Sequence, residues 1–133
     1  MASIFSKIIN REIPAFIVAE DEHSIAILDI NPLVKGHTLV IPKREVDYYF
    51  DLDEAEYDRL NQFSRKVAKA IESVIPCLRI GVAVVGLEVP HTHIHLVPLN
   101  SMGDINFSRP KLQLTQEEFQ EISNKINAAF ARL

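Results

Sequence analysis

Three histidines alternate over five residues, His91-Thr92-His93-Ile94-His95. On a β-strand, side chains two positions apart share a face and sit ~6.6 to 7 Å apart, so this run predicts a strand with three imidazoles on one side. Burying three imidazoles as mere packing is costly, because each ring has two nitrogens that need partners. The plain alternative is a solvated face with no role, but three of only five histidines in the chain lie on it. Neutral imidazole is a competent nucleophile toward phosphorus, and near its ordinary pKa of ~6.5 much of it is neutral. The middle ring is best placed to attack, with partly protonated neighbours stabilising charge on phosphate oxygens. Its second nitrogen must then donate to a carbonyl or carboxylate, so that the free nitrogen faces the substrate. The same spacing also suits a three-histidine zinc centre, with His37 available as a further ligand. Spacing alone leaves nucleophile and metal ligand both open.

The elements that must carry this face can be read in order. Ile4, Phe5, Ile8 and Ile9 have helical spacing and predict a short helix over 3–9, ended by Pro14. Short strands are expected over 15–19, 24–30 and 37–41, separated by polar or Asn-Pro and Lys-Gly turns and closed by Pro42. Asp53 with Glu56 forms a capping pattern, and Leu60, Phe63, Val67, Ala70, Ile71 and Val74 follow at helical spacing until Pro76. The valine-rich run 78–85 predicts a buried strand, and 91–97 the histidine strand. Thr115 with Glu118 caps a last helix whose stripe is Phe119, Ile122, Ile126 and Phe130. The expected fold class is therefore α+β: an antiparallel five-stranded sheet, one long helix and shorter terminal helices. The strand–long helix–strand passage leaves one parallel crossover open.

At 133 residues the chain is long enough for one domain, spanning 1–133, and too short for two ordinary ones. The composition is 47% apolar and 24% charged, as in a soluble globular protein. A net charge of −4 with scattered basic residues excludes an extended nucleic-acid footprint, although a single nucleotide needs only a local pocket. The lone Cys77 forms no internal disulfide, the opening residues 1–7 lack a signal peptide's apolar stretch, and no segment approaches the ~20 apolar residues of a membrane span. A cytoplasmic protein with no membrane partner is expected.

Residues 86–98, Gly-Leu-Glu-Val-Pro-His-Thr-His-Ile-His-Leu-Val-Pro, resemble the His-x-His-x-His signature of the histidine-triad (HIT) family. Residues 3–15, 27–32 and 36–43 are similar to further blocks of that family in the same order, of the bacterial type and near its Hint branch. The resemblance implies a homodimeric HIT-like fold that binds a nucleoside monophosphate unit of a purine nucleotide. It implies cleavage or transfer at the α-phosphate through a covalent nucleotidyl-histidine, with a phosphoramidate or phosphoanhydride as substrate. By match to the motif, His93 is the nucleophile, His91 and His95 flank it, and His37 is the fourth histidine. Asp29 matches the acidic residue that holds ribose hydroxyls, and Ile4, Phe5, Ile8, Leu28 and Ile30 match the pocket around the base. No cofactor is implied at the covalent step, although Mg²⁺ can accompany a polyphosphate substrate.

Two departures from the family pattern matter. Many bacterial members carry Cys-x-x-Cys and a later histidine that bind a structural zinc; here those positions are Ser3, Ser6 and Glu45, so that zinc is expected to be absent. A glutamine that usually contacts phosphate is replaced by Leu87, and residues 81–86 look like a shortened, apolar version of the family's loop. Losing one phosphate donor costs ~10²- to 10³-fold in rate, so slow turnover or a different substrate is expected. Glu88 stands where a eukaryotic branch has a serine near the leaving group, and either protonates that group or is a surface carboxylate. The leading reading is a nucleotide hydrolase or nucleotidyl transferase. Its rivals are a nucleotide-binding regulatory module with little turnover and a metal-dependent hydrolase using the histidines.

Overall fold

A computed structural model describes residues 2–133. The chain runs α1 (Ile4–Ile9), β1 (Ile17–Glu20), β2 (Ser24–Leu28), β3 (Thr38–Pro42), α2 (Glu54–Val74), β4 (Arg79–Ala83), β5 (Ile94–Leu99) and α3 (Gln116–Ala131), with short 3-10 turns at Tyr49–Asp51 and Met102–Ile105. The five strands form one sheet in the order β1-β2-β3-β5-β4, and every neighbouring pair is antiparallel. Because β5 lies between β3 and β4 and opposes both, those two strands run parallel without touching. The expected α+β class and five-stranded antiparallel sheet are both present.

Local chemistry starts and stops the helices where the sequence indicates. Asp53 accepts from Glu56 N at 2.8 Å while Glu56 accepts from Asp53 N at 3.2 Å, a reciprocal cap that satisfies two otherwise orphaned N–H groups. Thr115 and Glu118 repeat the device on α3. Ser3 caps α1 by accepting from Ser6 N at 3.0 Å.

Strand alternation divides the sheet into two faces with separate cores. Val18, Ala26, Leu28, Val40, Ile94 and Leu96 pack against α2 and α3, the larger core. Ile25, Ile27, Leu39 and Ile41 face the other way and meet Phe5 and Ile8 of α1. In the register between β3 and β5, Leu39 pairs with His95 and Val40 with Ile94. Directly paired residues share a face, so His95 sits on the α1 side of the sheet.

Two expectations about the strands need correction. The run 78–85 was expected to be buried, but β4 is an edge strand, with Leu78 79% and Val82 63% exposed. Its apolar content is no guide to depth because the strand ends the sheet and pairs on one side only, with β5. The histidine strand was expected from residue 91, whereas β5 begins at Ile94. Residues 91–93 instead reach across to the segment after β3, where Thr92 N and Thr92 Oγ1 both donate to the Val46 carbonyl at 2.7 Å.

Gly36 turns the chain into β3 with φ +89°, and a Cβ there would lie 3.0 Å from Ile75 Cγ1 and 3.2 Å from Pro98 Cγ. Backbone conformation and close packing both require glycine beside His37. Gly36→Ala is expected to lower unfolding free energy by about 1–2 kcal/mol in urea titration, and an unchanged midpoint would refute the constraint.

Candidate functional site

Four histidines and one aspartate gather on the α1 side of the sheet. His37 enters from the turn before β3, His91 and His93 from the segment before β5, and His95 from β5 itself; each of the four is at most 7% exposed. The ring centroids of His93 and His95 are 5.0 Å apart, and those of His37 and His95 5.2 Å. Phe5 meets His93 edge-on at 4.9 Å and His91 at 5.8 Å.

The hydrogen bonds assign a proton to each ring. Leu33 N–H can only donate, so His37 Nδ1 accepts from it, at 3.0 Å. A neutral His37 therefore carries its proton on Nε2, which donates to His95 Nδ1 at 3.0 Å. His95 is left with its own proton on Nε2. His93 Nδ1 lies 2.7 Å from the His91 carbonyl, which can only accept, so in the neutral ring Nδ1 carries the proton and Nε2 the lone pair. This is the carbonyl-held tautomer that a nucleophilic imidazole requires. His91 Nε2 donates to the Pro42 carbonyl at 2.8 Å, and its Nδ1 accepts from the Ser3 hydroxyl at 2.7 Å.

Burial controls the charges. It holds His37 down at about 3, with the neighbouring His95 and Lys111 adding to the shift, and holds His95 at about 4, with His93 adding. Burial also lowers His91, against the pull of the Pro42 carbonyl and Glu45. His37, His91 and His95 are thus neutral at pH 7, and the expectation of partly protonated flanking rings is corrected. The 3.6 Å approach of His37 Nε2 to Asp29 Oδ2 is accordingly no ion pair, since the imidazole is uncharged. Asp29 is raised by burial, offset by the N–H of Asn31, which donates to its Oδ1 at 2.8 Å.

The other expected site residues divide. Phe5 touches the histidines and Ile8 packs beside it, whereas Ile4 is 50% and Ile30 64% exposed. Leu28 belongs to the core under α2 and α3, on the opposite face from His95, so its place in a base pocket is corrected. Its neighbour Ile27 points to the α1 side with Phe5 and Ile8. Alternation applied to 27–29 would have found it. Glu88 is exposed, and its charge contributes only a small upward push on Asp29. Leu87 is 88% exposed, and residues 81–83 of the expected loop are strand.

Phe107 was missed. The turn Met102–Ile105 is capped by Asp104, which accepts from Asn100 N and Ser101 N, and Arg109 pairs with Asp104 at 3.2 Å. This folds residues 100–112 back over the site, with Phe107 edge-on to His95 at 4.8 Å and His37 at 6.3 Å. Leu112 N donates to the Pro32 carbonyl and ties the segment to the turn after Asp29. The capping pattern Ser101-x-x-Asp104 was visible in the sequence, but nothing local indicated where the aromatic would land.

Among the described residues, Asp29, His37 and His95 bring donor atoms within 4.8 Å of one another. His91, His93 and His95 do not converge: both nitrogens of His91 and Nδ1 of His93 are committed to protein partners. The three-histidine zinc centre is thereby corrected. At the positions associated with structural zinc, Ser3 N and Ser6 Oγ both donate to Glu45 Oε1, at 2.8 and 2.7 Å. Two hydroxyls and a carboxylate tied to each other do not fit a structural zinc.

Known proteins resemble this chain in sequence and fold. Residues 10–102 match the HIT domain. A HIT-like protein of Borreliella burgdorferi is 37% identical over 132 residues, covering 93% of this chain and 95% of its own. The adenosine 5'-monophosphoramidase of Schizosaccharomyces pombe is 33% identical over 132 residues, 95% of this chain and 99% of its own. Among solved structures, a Hit-like protein involved in cell-cycle regulation from Bartonella henselae matches with TM-score 0.82 at 32% identity, over 96% of this chain and 95% of its own.

Buried neutral histidines link site and stability. The folded values of about 3 and 4 lie below the unfolded ~6.5, so the unfolded chain binds more protons as pH falls. Stability is full above pH ~6.5 and declines as pH falls toward the folded values, at up to ~1.4 kcal/mol per pH unit for each ring. The urea midpoint is expected to drop between pH 7.5 and 5.0, and to drop less in His37→Asn; equal slopes would exclude His37 as a source.

Proposed function

The chain belongs to the HIT family, and from that premise we propose that it is a nucleotide hydrolase or nucleotidyl transferase acting at the α-phosphate of a purine nucleotide. The observation that carries this reading is the 2.7 Å bond from His93 Nδ1 to the His91 carbonyl, which leaves Nε2 as a bare nucleophile beside Phe5 and His95. In the first step His93 Nε2 attacks the α-phosphorus, a nitrogen–phosphorus bond forms, and the bond to the leaving group breaks as that group takes up a proton from solvent. His95, with its proton on Nε2, is placed to donate a hydrogen bond to the phosphoryl oxygens or the departing group. Water then cleaves the nucleotidyl-histidine, releasing a nucleoside monophosphate and restoring the imidazole.

The substrate proposal follows the named activity of the fission-yeast relative, an adenosine 5'-monophosphoramidase. Asp29, set at the turn beside His37, is assigned the ribose hydroxyls, with Phe5, Ile8 and Ile27 as apolar lining for the base. His91 has no free ring nitrogen, so its part is to hold His93. Glu88 is left at the rim, where solvent exposure suits a carboxylate. The regulatory-module reading retains one favouring observation: Leu87, where the family pattern has a phosphate-contacting glutamine, has no side-chain donor. No helix among the described residues is long and apolar enough to cross a membrane, which is compatible with the cytoplasmic placement we adopt.

A homodimer is also part of the proposal. β4 is an edge strand, and its Val82 with the flanking Leu78, Val84 and Val85 are 37–79% exposed; an open apolar edge favours pairing with a second copy. Sedimentation is expected to find a dimer that Val82→Lys shifts toward monomer; a wild-type monomer would overturn the dimer proposal.

Catalysis is tested with α-labelled adenosine 5'-phosphoramidate, with and without chelator. Acid-labile label on His93 that survives chelation is expected, and His93→Ala should lose at least ~10³-fold in kcat/KM. Normal turnover by His93→Ala would sink the mechanism, whereas saturable binding without label or product would support the regulatory module.

A further inference from the structure

Glu45 and Ser3 lie 42 positions apart in sequence, yet they meet beside the histidines. The Glu45 carboxylate follows β3 and accepts from Ser3 N and Ser6 Oγ, both on its Oε1. Ser3 Oγ accepts from Ser6 N, and its own proton goes to His91 Nδ1 at 2.7 Å. The opposite nitrogen of that ring donates to the Pro42 carbonyl. His91 is therefore gripped at both nitrogens and is 0% exposed, so no ring atom is left for a ligand.

An imidazole is an expensive way to fill a buried space, since an apolar side chain would need no partners. What the double grip provides is rigidity at the His91 peptide. The carbonyl of that peptide accepts the His93 Nδ1 proton, and the next residue is pinned through Thr92 N to the Val46 carbonyl. The clasp also sets the position of α1, whose Phe5 packs edge-on against both rings.

We propose that Glu45 and Ser3 are positioning residues for His93, forming a carboxylate–serine clasp that anchors the His91 peptide and thereby the tautomer and aim of the His93 ring. Its consequence for turnover rests on His93 being the nucleophile; its geometric content does not. The clasp works from behind, and neither residue touches the reacting atoms. It accomplishes with hydrogen bonds alone the joining of the α1 start, the end of β3 and the entry to β5.

The test reads tautomer and kinetics separately. Long-range ¹H–¹⁵N NMR of the nucleotide-free, full-length protein should find His93 as a single Nδ1–H form in the wild type. Ser3→Ala and Glu45→Ala should convert it to a mixture of tautomers. With adenosine 5'-phosphoramidate, the same variants should lower kcat about tenfold while KM changes less than about twofold, since misplacing a reacting group acts mainly on the chemical step. Ser3→Thr, which keeps the hydroxyl, should restore both readouts. Should Ser3→Ala fail to fold, Glu45→Gln carries the same expectation to a smaller degree. A purely structural clasp would lower the melting temperature and leave the His93 tautomer and kcat unchanged in the folded protein, and that result would overturn the proposal. If the wild type turned over no nucleotide, the catalytic reading would fall while the tautomer measurement still decided the clasp.

Discussion

The hydrogen bond from His93 Nδ1 to the main-chain carbonyl of His91 is the contact on which the site depends, because it decides which nitrogen of the central ring is free. A side-chain acceptor could rotate away or change its own protonation. A peptide carbonyl can do neither, provided its chain segment is held. Here the segment is held from both sides, by the doubly bonded His91 ring and by Thr92 against Val46. The remaining histidines follow the same rule of one proton and one lone pair per ring. From Leu33 N–H, His37 accepts at Nδ1 and donates at Nε2 to His95 Nδ1, which leaves the His95 proton on Nε2.

That arrangement is compatible with burial only because His37, His91 and His95 are neutral. Protonating His37 would put two donors where Leu33 N–H already requires an acceptor. Desolvation and hydrogen-bond polarity therefore act in the same direction, keeping the group uncharged near neutrality. The same logic makes the site a poor collector of cations at its centre: most nitrogens that a metal would use are already engaged with the protein. Asp29 fits this environment as the carboxylate beside His37, held partly by the Asn31 N–H and partly exposed.

The sheet has two jobs that fall on opposite faces. One face closes a core under α2 and α3, and the other carries the histidines beneath α1 and the 100–112 segment. Glycine at 36 belongs to this division, since the turn before His37 must pass close to Ile75 and Pro98. The edge strand β4 turns Ile80 toward the core under α2 and α3 and leaves Val82 exposed.

Local patterns determined much of this from sequence alone. The caps at Asp53 and Thr115, the helical stripes behind them, and the five strand segments were legible because they depend on neighbours within a few residues. The alternation of His91, His93 and His95 marked the site, and the surrounding blocks pointed to its family. Tertiary structure alone decided what required distant partners. It put β4 at an edge, turned Leu28 away and Ile27 toward the site, and brought Phe107 onto His95. It also withdrew His91 from the substrate side by closing Ser3 and Pro42 on its two nitrogens. The physical reason is that a residue's type and spacing state which bonds it can make, whereas burial and long-range hydrogen bonding determine which of them are left for a ligand.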